Sequence, residues 1–196
     1  MNIKVPTLLS LVLIVIGFLV VSSQTSEAAV DKFYIDYITK YGHFSKIDAN
    51  LPEMFDKRTN AVRPDYIEYV ANIVCETEEE FQLPKRCLLP FIRFESGFRT
   101  WATGDGHRAT GLLQVRKDYH KCRFTGGKRA NETTLKLSSQ NTKTYKFVWG
   151  DDKDLVRYGA WLIKKALLEG RSLKSATQPW SVRSKALKEY YKIKDA

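Results

Sequence analysis

Residues 88–115 read LLPFIRFESGFRTWATGDGHRATGLLQV, an apolar run that gives way to a segment rich in Gly and Thr. An apolar run (Leu88, Leu89, Phe91, Ile92, Phe94) ends on a carboxylate, Glu95, followed by Ser96, Gly97 and Phe98. A helix built from that run delivers Glu95 to the edge of a hydrophobic core. Partial desolvation there raises a carboxyl pKa, so the acid keeps its proton near neutrality. A general acid requires this. Further on, Gly111 precedes Leu112, Leu113, Gln114 and Val115, a segment that leaves one polar amide among apolar neighbours.

Glu95-Ser96 with Phe98, followed by Gly111-Leu112-Leu113-Gln114, resembles the signature of the lytic transglycosylases and goose-type lysozymes, enzymes that cut bacterial peptidoglycan. Gly104-Asp105 ahead of Gly111, and His120 beyond Gln114, fall where the goose type carries the same residues. The resemblance spans residues 64–168. It implies a mainly α, lysozyme-like α+β fold, with a small β-hairpin or loop region lining the active-site cleft. The implied reaction is cleavage of the MurNAc to GlcNAc β-1,4 bond, with Glu95 as acid.

Two mechanisms stay open. In a lytic transglycosylase, the first choice, one carboxylate serves as acid and then base while the sugar's own 6-hydroxyl attacks, leaving a 1,6-anhydro end. In a goose-type inverting hydrolase, Asp105 would face Glu95 at roughly 6.5 to 9.5 Å and hold a water on the far face of the sugar. The chain departs from both patterns. Arg116 stands where the goose type has a second acidic residue, Asp118 comes two places late, and Leu113 replaces the usual methionine. The transglycosylase Ala-Tyr-Asn-Ala-Gly stretch is not reproduced by Ser175-Ala176-Thr177-Gln178-Pro179-Trp180.

Gln114 and His120 are candidate glycan contacts, being neutral donors and acceptors, and Ser96 is a candidate partner for backbone or for Glu95. Phe98, Trp101, Tyr119 and Trp180 are candidate sugar-stacking rings. Tyr158 joins the substrate-binding set. Each has a plainer reading: Glu95 salt-bridged to Arg93 or Arg99, Asp105 a turn residue between glycines, the aromatics in the core. A rival of another class is a non-catalytic wall-binding or envelope-assembly protein on a retired enzyme scaffold.

The N-terminus has a basic start at Lys4, an apolar run opening on Leu8 and closing on Val21, and small residues at Ser26 and Ala28. These are the parts of a secretory signal over residues 1–28, cut after Ala28, and the run is short for a membrane span. If uncleaved, residues 8–21 are the sole expected membrane contact. Either way the protein is expected to be exported, to the periplasm, the cell wall or the medium, as one catalytic domain over residues 29–196.

The net charge is +10, and losing Lys4 and Glu27 leaves it unchanged. A basic exported protein is drawn to polyanions. Peptidoglycan strands with their peptide carboxylates, and anionic wall polymers, are the expected partners. Nothing points to specific nucleic-acid binding, because no zinc-finger, RNA-sheet or basic-zipper pattern accompanies the charge. No cofactor or metal is expected: Cys75, Cys87 and Cys122 have no zinc spacing, and His43, His107 and His120 do not cluster with them. In an oxidising compartment Cys75 and Cys87, flanking a Glu-rich connection between two helices, are the favoured disulfide pair.

Helical spacing predicts helices over residues 30–41, from Pro64 to the acidic run of residues 76–80, from Pro84 to Glu95, from the Asp151, Asp152 and Asp154 cluster to Leu168, and over residues 180–193. Tyr69 is placed on the buried side of the second, and residues 76–80 read as its solvated end. Residues 99–115 read as a loop or small hairpin. The polar stretch around residues 123–147, with Lys121, Arg123, Lys128, Arg129 and Lys136 in or beside it, reads as a basic functional arm or a poorly ordered loop.

Overall fold

A computed structural model describes residues 31–44, 62–116, 132–140 and 142–196. Helix α1 (Lys32–Tyr41) is capped by the Asp31 carboxylate, which accepts from the Phe33 N–H. Helix α2 (Pro64–Glu80) begins on a proline, whose missing N–H costs nothing in a first turn. Helix α3 (Leu88–Glu95) is the central apolar run of the quoted stretch, with Leu88, Leu89, Phe91 and Ile92 buried. Helix α4 (Asp152–Leu168) is capped by Asp151, which accepts from the Asp154 N–H. A short α5 (Leu173–Ala176) and a last helix α6 (Arg183–Ile193) follow.

The β structure is small. Strands β1 (Thr103–Gly104), β2 (Ala109–Thr110) and β3 (Val115–Arg116) form an antiparallel sheet in that order, pairing Gly104 with Ala109 and Ala109 with Arg116. Strands β4 (Glu132–Lys136) and β5 (Thr144–Val148) form a separate antiparallel hairpin. The fold is mainly α with a minor antiparallel β part, as the sequence predicts.

Helix α3 lies against α1, α2 and α6, and α4 packs on α2. One core runs through them, joining Tyr34, Val70, Val74, Leu88, Ile92, Val156 and Trp161. Gly159 lets α4 approach the loop after Gly111, since a Cβ there would lie 2.6 Å from Leu113 Cδ1. Arg157 fastens α4 to α2 through two bonds to Glu80, at 2.6 and 2.7 Å.

Several expectations need correction. Tyr69 is 45% exposed, because it turns to solvent beside the buried Tyr66 and Val70. The acidic run is not wholly solvated: Glu78 is only 2% exposed, taken inward by three donors described below. Helix α3 starts at Leu88, not at Pro84, because Arg86 adopts φ 67°, which interrupts any right-handed helix through that turn. The final helix likewise starts at Arg183, after a turn that places Trp180 against Leu113. Cys75 and Cys87 stand as free thiols, Cys87 buried and Cys75 on the flank of α2 facing Glu79, so the favoured bridge is absent. Part of the supposed arm is the β4–β5 hairpin, held down by the buried Leu137, Tyr145 and Phe147; Phe147 meets Tyr158 edge-on. Residues 1–28, the remainder of that arm with Lys121, Arg123, Lys128 and Arg129, and Cys122 lie outside the described residues. Among those described, no helix is long and apolar enough to cross a membrane.

Candidate active site

Helix α3 ends at Glu95 because the chain then turns through Ser96 and through two left-handed residues, Gly97 (φ 60°) and Phe98 (φ 65°). Phe98 is driven into the core, 0% exposed and edge-on to Tyr37. Tyr66 locks the turn: its hydroxyl donates to the Phe98 carbonyl at 2.8 Å and accepts from the Thr100 N–H at 3.1 Å. Glu95 is thereby left at the rim of the core.

It faces a cavity of about 500 Å³. The β1–β3 sheet forms one wall with Asp105, Gln114 and Arg116, and Leu162 of α4, Pro179 and Trp180 form the other. Burial first, with the charge of Asp105 adding to it, pushes the Glu95 carboxyl up to about 7. The Val182 N–H opposes this by donating to the carboxylate. That donor belongs to the cap of α6, a helix N-terminus that favours negative charge. The result is a carboxyl that holds its proton near neutrality yet is stabilised once the proton leaves.

The plainer reading of Glu95 finds no partner among the described residues. Arg93 is engaged by Glu189 at 2.6 Å and lies over the Tyr41 ring, while Arg99 donates to the Ser96 carbonyl at 2.8 Å. Asp105 adopts φ 49° in the β1–β2 turn and pairs through Oδ2 with Arg116 at 3.1 Å. It lines the same cavity as Glu95.

Gln114 also has a left-handed backbone, φ 48°, which turns its side chain across the loop. Its Nε2 donates to the carbonyls of Ala102 and Gly111 at 2.8 and 2.9 Å. Its Oε1 stands over Gly104, where a Cβ would come within 2.6 Å. Both amide hydrogens are thus committed to the loop, leaving Oε1 as the group that can accept from a ligand. Trp180 borders the cavity, is only 8% exposed, and donates from its Nε1 to the Leu113 carbonyl at 3.0 Å.

The structure therefore brings together Glu95, Asp105, Gln114 and Trp180 and separates other candidates from them. Ser96 is buried and donates to the Ile92 carbonyl at 3.1 Å, a helix-end bond and not a contact with the cavity. Phe98 and Tyr158, each 0% exposed, are core side chains with no face for a sugar. Trp101 is half-buried against Tyr66 and does not line the cavity. Tyr119, His120 and Asp118 lie outside the described residues.

Sequence reasoning missed Leu162, Pro179 and Val182. The first is apolar on a core helix and gives no signal, but a proline and a tryptophan together in the short link between two helices mark a loop with an aromatic to place. Among the described residues no cluster of three or more His, Cys, Asp or Glu side chains is arranged to hold a metal ion. No family model, curated protein or solved structure matches the chain.

Proposed function

We propose that the protein is an exported peptidoglycan-cleaving enzyme that breaks the MurNAc to GlcNAc β-1,4 bond, working as a lytic transglycosylase with Glu95 as acid and then base. One observation carries this: a carboxyl held up to about 7 by burial, open on a 500 Å³ cleft and free of any cationic partner among the described residues. In the forward step the Glu95 proton passes to the leaving glycosidic oxygen as the C1–O bond breaks. The Glu95 carboxylate, steadied by the Val182 N–H, then takes the proton of the sugar's 6-hydroxyl as that oxygen closes on C1. A 1,6-anhydro end results, and Glu95 regains its proton.

Asp105 favours the one-carboxylate route. The pair with Arg116 takes Asp105 Oδ2 and leaves only Oδ1 to hold an attacking water, a partner the one-carboxylate route does not need. The goose-type hydrolase keeps one observation in its favour: Asp105 shares the cleft and its charge bears on Glu95. Product mass spectrometry separates the two, with anhydro ends for the first and reducing ends for the second. Wall digestion by Glu95→Gln beside the parent tests both against a non-catalytic wall-binding protein. General-acid loss lowers the rate on the order of 10² to 10⁴, whereas a binding protein shows no wall cleavage in either form.

A further inference from the structure

A second cavity, of about 460 Å³, opens beside the first, and Leu162 and Pro179 belong to the walls of both. The two differ in chemistry. The Glu95 cavity is bordered by a largely buried indole and by a locked amide whose Oε1 can accept from a hydroxyl. The second has no aromatic ring in its lining and carries three charges instead: Lys165 from the last turn of α4, then Glu169 and Arg171. Lys165 Nζ lies 5.3 Å from the centre of the Trp161 ring, which holds its stem against α4. Arg171 reaches Glu169 at 3.2 Å in an exposed pair, worth little in water and open to exchange with a ligand's own charges, and Ser175 adds a neutral polar group.

A pyranose gains little from such walls. An extended chain bearing carboxylates and an amine would find a complementary charge for each, as charge-assisted hydrogen bonds require. A uniformly anionic polymer fits less well, because Glu169 would repel it. Since Leu162 and Pro179 line both cavities, one molecule can lie against Glu95 and reach into the second cavity with a side branch.

We propose that the second cavity is a subsite for the peptide stem that branches from the glycan strand, Lys165 and Arg171 taking its carboxylates and Glu169 its amine. This rests on the peptidoglycan reading above. On it, the protein selects strands that still carry their peptides and cuts stripped strands less efficiently.

The test uses the full chain, the double variant Lys165→Gln/Arg171→Gln, and a charge-matched control on the exposed face of α6, Lys188→Gln/Lys192→Gln. Each is given peptide-bearing glycan strands and strands stripped by an amidase. A free stem tetrapeptide with a diamino acid is titrated calorimetrically into the same variants in a Glu95→Gln background. The expected result is a roughly tenfold loss in kcat/KM on peptide-bearing strands, carried by KM, with stripped strands and the control unaffected, and a matching roughly tenfold weakening of tetrapeptide binding. Equal losses on both substrates, an equal loss in the control, or a tetrapeptide that does not bind the parent would overturn the subsite. Cleavage of stripped strands without tetrapeptide binding leaves the cutting reaction standing and removes the subsite. Tetrapeptide binding that the double variant abolishes, in a protein that cuts neither substrate, does the reverse.

Discussion

Two glutamates sit at the two ends of α3, and burial pushes both carboxyls up to about 7. Glu78, from α2, covers the start of the helix. Its Oε1 accepts from the Leu88 N–H at 2.7 Å, and its Oε2 from the Arg86 N–H at 2.7 Å and the Tyr34 hydroxyl at 2.5 Å. Glu95 closes the other end, with one backbone N–H from Val182 and a cavity beyond. The same desolvation thus serves two purposes. A buried carboxyl surrounded by donors is a structural cap for helix N–H groups that have no partner within the helix. One left open on a cleft has its proton available to whatever enters.

The largest effect expected from breaking this contrast is on rate. Glu95→Gln should lower wall cleavage on the order of 10² to 10⁴, while its thermal midpoint stays at or above that of the parent because a desolvated acid has been removed. Turbidity clearance and calorimetry on the same samples check both halves. Glu78→Gln should do the opposite. One amide N–H₂ must then face backbone N–H donors, so the variant should lose on the order of 2 kcal/mol in denaturant unfolding. What folds should cut at a rate within a few-fold of the parent.

The pH dependence sharpens the contrast further. A carboxyl near 7 in the folded protein and about 4.5 once unfolding returns it to water binds its proton more tightly when folded. Its stabilising contribution is therefore full below about 4.5 and is lost as pH rises through about 7. The difference in unfolding free energy between parent and Glu78→Gln should shrink across that window. A difference that grew, or stayed flat, would show that Glu78 is ionised throughout. Glu80, held below the usual carboxylate range by its bonds to Arg157, has the opposite slope, which is why the difference and not the raw curve is diagnostic.

Smaller effects belong to the cleft wall. Gly104→Ala sets a Cβ against Gln114 Oε1 and should unlock that amide, lowering activity several-fold at a stability cost of about 1 to 2 kcal/mol. Asp105→Asn should change the low-pH rate less than about threefold and move the alkaline limb of the pH–rate profile downward, since a negative charge that raises the Glu95 pKa is gone. A loss approaching that of Glu95→Gln would instead mark Asp105 as the water-holding base of an inverting hydrolase.

Much of the site was legible in the sequence because its signals are local. The apolar run into Glu95 defines α3, and Gly104-Asp105-Gly106 and the Gly111 to Gln114 segment announce turns that become the β1–β3 wall. The other wall was not legible, since Leu162 and Pro179 reach the cavity, and Val182 reaches Glu95, only through the packing of α4 and α6. Glu78 escapes a reading of the sequence for a related reason. Within an acidic run every glutamate looks solvated, and only the tertiary position of Tyr34 and of the 86–88 turn singles one out. The aromatics failed in the other direction, as Phe98 and Tyr158 carry the same residue type as a sugar platform but lie at positions the core closes over.

The proposed reaction depends on the protonation of a single carboxyl, which side-chain carbon NMR follows directly. Spectra of the parent across pH 4 to 9, with Glu95→Gln used to assign the signal, should show the Glu95 carboxyl titrating near 7. A midpoint at the ordinary glutamate value of about 4.3 would mean that position 95 is ionised at neutral pH, has no proton to give, and is not the acid.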